Sequence, residues 1–238
     1  MSGLDGRPGG LDAPRPDETA LEPPEAKLLL GTGLPRARAF VRELAGEGVV
    51  RGVVGPREVP RLWTRHVLNC AAVAELVPAG AVVVDVGSGA GLPGLVLAMA
   101  RPDLELVLVD SSLRRARWLE HVVEVLDAAD DLPPLRVRVV RGRAEELVGT
   151  VRGDVVTSRA VAPLDRLARW CAPLAVPDGL LLAVKGGRAD DEVTEHAAAL
   201  RRTGLRDVEV VTCGGEVLED PTTVVRARVG SRPGGRRR

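Results

Sequence analysis

Tyrosine is absent from this sequence, phenylalanine occurs once and tryptophan three times. With so few rings, a platform of stacked bases is not the expected way for this chain to hold nucleic acid. No apolar run approaches the roughly 20 residues that a membrane helix needs. The first 27 residues are rich in proline, glycine and charge and lack the apolar core of a signal peptide, so the expected compartment is the cytoplasm. Cys70, Cys171 and Cys213 are odd in number and far apart, which fits reduced thiols better than a disulfide framework. Together with three scattered histidines they offer no zinc spacing, and no metal is expected. Lysine is also scarce: all but Lys27 and Lys185 of the 33 Lys and Arg residues are arginine. The 33 acidic residues balance them to a formal net charge of zero, so the chain as a whole is not a basic nucleic-acid binder.

What is present is the mix of a soluble globular protein, 45% hydrophobic and 28% charged, in 238 residues. That length suffices for one domain with a sizeable core. Composition assigns residues 1–30 to a disordered segment, 31–78 to a helical extension, 79–230 to the main domain and 231–238 to a loose basic tail. Residues 33–48 can form one short helix. Residues 59–78 form another, with Leu62, Trp63, Val67, Leu68, Ala71 and Leu76 as its apolar positions, Pro60 in its first turn and Pro78 at its end. From residue 81 short apolar runs alternate with amphipathic segments: strands over 81–86, 104–110, 135–142, 153–160 and 179–187, each followed by a helix. Such alternation means a parallel sheet covered on both faces. The runs 205–214 and 222–230 have no helix between them and imply an antiparallel edge.

Between the first strand and its helix stand Gly87, Gly89, Gly91 and Gly94. Glycines at such a turn let the backbone bend sharply and let a ligand approach without Cβ atoms in the way. The stretch GAGLPG fits the dinucleotide fingerprint G-x-G-x-x-G, with Asp110 at the distance of a ribose-binding acid. The glycines also read as GSGAG preceded by Val84-Asp85-Val86, which resembles the first motif of class I S-adenosylmethionine-dependent methyltransferases. At a pyrophosphate a carboxylate in the position of Asp85 would repel, so Asp85 favours a ligand carrying an amino or sulfonium cation. Asp110 can accept from ribose hydroxyls under either reading. A nicotinamide-dependent oxidoreductase would also need a Tyr, Lys or His partner; tyrosine is absent, and only Lys185 offers itself.

WTRHVLNC, DVGSGAGLPG, GRAEEL, SRAVAPLDRLARW and LAVKG follow one another in order. Together they resemble the glucose-inhibited division protein B family, the ribosomal RNA small subunit methyltransferase G family, over about residues 34–230. The GPREVPRLW segment is similar to actinobacterial members. The resemblance implies a Rossmann-like class I fold: a mostly parallel seven-stranded sheet with an antiparallel C-terminal edge. It implies S-adenosyl-L-methionine as cofactor, N7 of one guanine in 16S ribosomal RNA as acceptor, and the rRNA or the small subunit as partner, with no membrane and a monomeric enzyme. Gly87, Leu92, Ala144, Glu145 and Arg159 enter the cofactor set by resemblance; Asp85, Gly89 and Asp110 join them on the physical argument above. Methylation of another small molecule or of a protein remains the alternative acceptor class.

Three residues are candidates for the acceptor side. Lys185 ends the fifth strand before Gly186-Gly187, where an ammonium can hold a phosphate or guanine O6. Arg159 ends the fourth strand, where it binds cofactor or RNA or else forms an ion pair with Asp85 or Asp165. His66 lies three residues from Asn69 on one helix face, and the resemblance places that helix over the site. Many relatives carry aspartate where Asn69 stands, so no carboxylate role transfers to it. Cys171 reads as a core thiol, and Trp63, Trp118 and Trp170 as core residues. Arg57, Arg61 and Arg65, four apart, form a candidate basic stripe for RNA phosphates; Arg114, Arg115, Arg117, the arginines of 136–143 and Arg236–Arg238 add further patches.

Overall fold

The computed structural model describes residues 21–129, 131–159 and 162–230; the first twenty residues and the basic tail lie outside them. In chain order the helices are α1 (Glu25–Leu30), α2 (Leu34–Glu43), α3 (Asn69–Ala72), α4 (Gly94–Ala100), α5 (Leu113–Asp127), α6 (Leu164–Cys171) and α7 (Ala189–Arg202). The strands are β1 (Val82–Val86), β2 (Glu105–Asp110), β3 (Val137–Arg141), β4 (Gly153–Arg159), β5 (Ala175–Lys185), β6 (Leu205–Cys213) and β7 (Thr222–Val229). They form one seven-stranded sheet in the order β3-β2-β1-β4-β5-β7-β6. All neighbouring pairs through β5 are parallel, and β7 runs antiparallel to both β5 and β6. This is the expected sheet, with its reversed strand one place inside the edge.

Side chains along a strand alternate between faces, and the core divides accordingly. Val83, Leu106, Leu108, Val155 and Leu182 pack against α1 to α5. Val84, Val107, Val156, Leu181 and Val225 pack against α6 and α7. The same alternation carries Asp85, Asp110 and Arg159 to the face of Val83, Leu108 and Val155, and Lys185 to the opposite face with Leu181 and Ala183.

The N-terminal helices are part of that first layer. Ala26, Leu30, Phe40 and Leu44 share a core with Leu97 and Trp118. Order therefore begins before residue 31: α1 lies within the segment assigned to disorder, and Ala26 and Leu30 are buried. Proline and charge mark its start, but Ala26 and Leu30, with Leu29 partly buried, supply the apolar contact that composition averaged away, while Leu28 stays exposed.

The predicted helix over 59–78 is four short pieces. A 3₁₀ turn (Pro56–Arg61) leads into a π-helical turn (Leu62–Leu68), then α3, then a second 3₁₀ turn (Val73–Leu76). Leu62 and Val67, like Trp63 and Leu68, are five apart and all buried, the repeat of an i→i+5 turn. Arg57, Arg61 and Arg65 consequently do not form an α-helical stripe. Arg61 and Arg65 turn to Glu58, at 4.0 and 3.5 Å.

Gly33 fixes how closely the extension approaches the sheet layer. A Cβ built on it would fall on the backbone carbonyl of Met99 at the end of α4. Gly33→Ala should therefore lower stability by about 1–3 kcal/mol through overpacking, read as a lower midpoint in thermal or denaturant unfolding. An unchanged midpoint would mean that α4 yields without strain.

Candidate active site

The strand order reverses between β1 and β4, and ligands of open α/β sheets bind outside the carboxyl ends at such a point. A cavity lies on each side of it. The first, about 250 Å³, is lined by Val86, Gly87, Asp110, Arg115, Ala144, Glu145 and Trp170, among others. The second, about 640 Å³, is lined by Arg65, Asn69, Arg159, Lys185, Glu192 and Thr223, with neighbours from the end of β5 and the start of β7, which pair there.

The glycine turn borders the first cavity. Gly87, Gly89 and Gly91 have φ of 73°, 58° and 101°, in the region where a Cβ is strained. The N–H groups of Gly87 and Ser88 donate to the carbonyl of Val109 at 2.8 and 3.1 Å, binding the turn to β2. Asp110, also buried, divides its carboxylate: Oδ2 accepts from Gly89 N–H at 3.1 Å and Oδ1 from Ser112 N–H at 2.9 Å. Ser112 caps α5. One side chain thus joins the turn, the end of β2 and the following helix.

Asp85 is fully buried beneath this turn. Its Oδ2 accepts from Gly94 N–H at 3.0 Å, and a Cβ on Gly94 would press on that oxygen and on Leu108. Its Oδ1 has no hydrogen-bond partner among the described residues. Burial lifts its pKa to about 7, against the opposing pull of the Gly94 N–H and the charge of Arg159.

On the other side of the switch point, Arg159 donates to His66 Nδ1 at 2.6 Å, to Cys70 Sγ at 3.1 Å and to the carbonyl of Arg65 at 3.4 Å. His66 Nε2 lies 2.8 Å from Glu58 Oε2. Lys185 donates to Glu192 Oε2 at 2.8 Å and to the carbonyl of Ala162 at 3.0 Å, and Glu192 also accepts from Leu164 N–H at 3.0 Å. Its side chain is 8% exposed, so Lys185 is not a solvated lysine.

Of the predicted cofactor set, Gly87, Asp110, Ala144 and Glu145 line the first cavity, and Gly89 is tied to it through Asp110. Asp85 and Leu92 line neither cavity, and Arg159 lines the second. Of the predicted acceptor-side residues, Lys185 and Arg159 face one cavity, while His66 reaches it only through Arg159. The ion pair offered as the alternative for Arg159 does not form: Asp165 bonds Arg169 instead, at 2.9 Å. Cys171 is a buried thiol, its pKa raised by desolvation. Trp63 and Trp118 are core residues. Trp170 is not; it lines the first cavity and stacks under Arg166, 5.9 Å from its ring.

The sequence reading missed Glu58, Glu192 and the 220–223 segment, and it placed Arg115 in a phosphate patch and Trp170 in the core, whereas both line the first cavity. Trp170 follows the α6 apolar stripe closely enough to read as core. Thr222 and Thr223 reach the second cavity because β7 inserts beside β5, pairing Lys185 with Thr223; nothing local in the sequence marks that insertion.

The chain matches the family model described as GidB, rRNA small subunit methyltransferase G, over residues 34–221. It is similar to proteins named ribosomal RNA small subunit methyltransferase G from two organisms. The Salinispora arenicola protein is 54% identical over 227 residues, 93% of this chain and 90% of that protein. The Salinispora tropica protein is 55% identical over 224 residues, 92% and 89%. Among solved structures, the mitomycin 7-O-methyltransferase MmcR aligns with a TM-score of 0.56 at 20% identity, covering 80% of this chain and 60% of that one. That likeness speaks for the fold alone.

The pKa of Asp85 makes a prediction for the ligand-free protein. A carboxyl whose folded pKa is raised above its unfolded value stabilises the fold below the unfolded pKa and loses that contribution as pH rises through the folded one. Asp85→Asn should melt higher than the natural sequence by a margin that grows from about pH 4 to about pH 7 and then levels off. A margin independent of pH would show that Asp85 is no harder to ionise in the fold than in the unfolded chain.

Proposed function

Because the chain belongs to the rRNA small subunit methyltransferase G family, we propose that it methylates N7 of a guanine in 16S ribosomal RNA, with S-adenosyl-L-methionine as donor. The observation that carries this reading is the family match across nearly the whole described fold, joined to two cavities that flank the switch point of the sheet.

The residues fit the donor. Asp110 keeps acceptor capacity beside the first cavity for ribose hydroxyls, and Ala144 and Glu145 supply a wall there for a flat base. The unpaired Oδ1 of Asp85, beneath the glycine turn, is an acceptor that suits an α-amino cation, although the side chain lines neither cavity. When bound, S-adenosylmethionine brings a methyl group activated by a sulfonium. The chain's own residues orient and exclude water. Gly87 and Gly89 hold the backbone open, Leu92 shapes the turn, and Arg159 and Lys185 face the acceptor cavity from adjacent strands.

Guanine N7 carries an in-plane lone pair and no proton, so the reaction requires alignment and no general base. The site agrees with that demand. The Nδ1 lone pair of His66 is taken by Arg159, leaving no free imidazole acceptor. Lys185 spends two of its three N–H groups on Glu192 and Ala162, which leaves one for an acceptor such as guanine O6 or a phosphate. Its charge is already balanced by Glu192, so it can donate to O6 without opposing the positive charge that develops on the methylated ring.

Purified small subunits that lack the modification should take label from S-adenosylmethionine into 7-methylguanosine at one position, identified by mass spectrometry, while large subunits do not. Cofactor binding without transfer to any small-subunit RNA would overturn the acceptor assignment. Lys185→Ala should keep cofactor affinity and slow transfer roughly a hundred- to a thousandfold, the scale of losing one aimed donor. Full activity would remove Lys185 from the site.

A further inference from the structure

The protonation state of His66 follows from its neighbours alone. A guanidinium has only donors, so the 2.6 Å contact between Arg159 Nη2 and His66 Nδ1 requires a lone pair on Nδ1. The ring proton then sits on Nε2 and is donated to Glu58 Oε2 at 2.8 Å. Glu58, His66 and Arg159 therefore form a directed chain, carboxylate to neutral imidazole to guanidinium, running from the 3₁₀ turn through the π-helical turn to the end of β4. His66 is 15% exposed. No carboxylate lies within ion-pair distance of Arg159 among the described residues, so its direction is set by His66, Cys70 and the carbonyl of Arg65 rather than by a counter-ion.

We propose that Glu58 and His66 are positioning residues that hold the Arg159 guanidinium against the acceptor cavity, and that they do so only while His66 is neutral. This rests on the reading of Arg159 as a residue of the methyl-transfer site. A protonated ring would put an N–H on Nδ1, facing the guanidinium N–H, and the contact would become a repulsion. The charged groups around the ring are Glu58, with Arg61 behind it, Arg65 on the same segment and Arg159 from β4; Arg159 in turn faces the Cys70 thiol and the field of Asp85. Desolvation and Arg159 hold the pKa of His66 below its ordinary 6.5, and Glu58 opposes them. The neutral state is thus the one populated near pH 7, and the hold weakens as pH falls below 6.5.

The test measures kcat for methyl transfer to unmodified small subunits at saturating S-adenosylmethionine, as a function of pH. The natural sequence should lose kcat on the acid side below pH 6.5. Glu58→Gln keeps a carbonyl to accept the Nε2 proton but removes the charge that favours the imidazolium. It should retain the plateau and move the acid limb to lower pH. Glu58→Ala should lower the plateau about tenfold, the scale of a modest misplacement. Combined with Arg159→Ala it should be no slower than Arg159→Ala alone, since both act through one group. An acid limb unmoved by Glu58→Gln, or losses that multiply in the double variant, would overturn the positioning role. Full activity of Arg159→Ala would instead sink the site reading beneath it, and the proposal with it.

Discussion

The hydrogen bond from Gly94 N–H to the buried carboxylate of Asp85 spans nine residues and closes the loop on which the site is built. Its carboxylate sits near the end of β1, beside the point where the strand order reverses, and its donor is the first residue of α4. Between them the chain must turn through three left-handed glycines, which is possible only because no Cβ stands at those positions. Gly94 itself has no room for a side chain, so α4 seats directly on the strand. Everything else follows from that seating. Asp110 reaches across from the next strand to brace the turn, and Trp118 donates its indole N–H to Ala90 from behind at 3.1 Å. The same bond leaves Asp85 with one oxygen unpaired in the interior.

Much of this was legible in the sequence because period-two and period-three-to-four patterns coincide with elements that are regular. The strands fall within a few residues of their expected runs, and the glycines and acids at β1 and β2 are local enough to read directly. The first segments were harder for physical reasons. Ala26 and Leu30 sit among proline and charge, and composition over a window hides a single turn with one buried face. The segment over 56–76 mixes three, five and four residues per repeat, and their average is close to that of an α-helix. Only the spacing of five in Leu62/Val67 and Trp63/Leu68 betrays the wide turn. That turn swings His66 into line with Arg159, ninety-three residues later.

The acceptor side was legible as residue types but not as connections. Lys185 and Arg159 stand at strand ends, where a sheet of this kind gathers its chemistry. Their partners come from elsewhere: Glu192 from the first turn of α7 and Glu58 from the 3₁₀ turn before the domain. Each cation is thereby oriented by a carboxylate, directly or through an imidazole, before any substrate arrives. Such preorganisation suits a reaction that asks for alignment and not for proton transfer.

The placement of β7 between β5 and β6 has a consequence for how the molecule assembles. Strand β6 is made first, yet its only sheet neighbour is β7, and β5 likewise waits for β7 on that side. Without β7, β5 would present an unpaired edge, which is a template for pairing with another chain. The same insertion delivers Thr223 to the side of Lys185. One strand therefore completes both the sheet and the second cavity, and a chain shortened before β7 would keep the residues of the glycine turn while losing Thr222 and Thr223 from the wall that Lys185 shares.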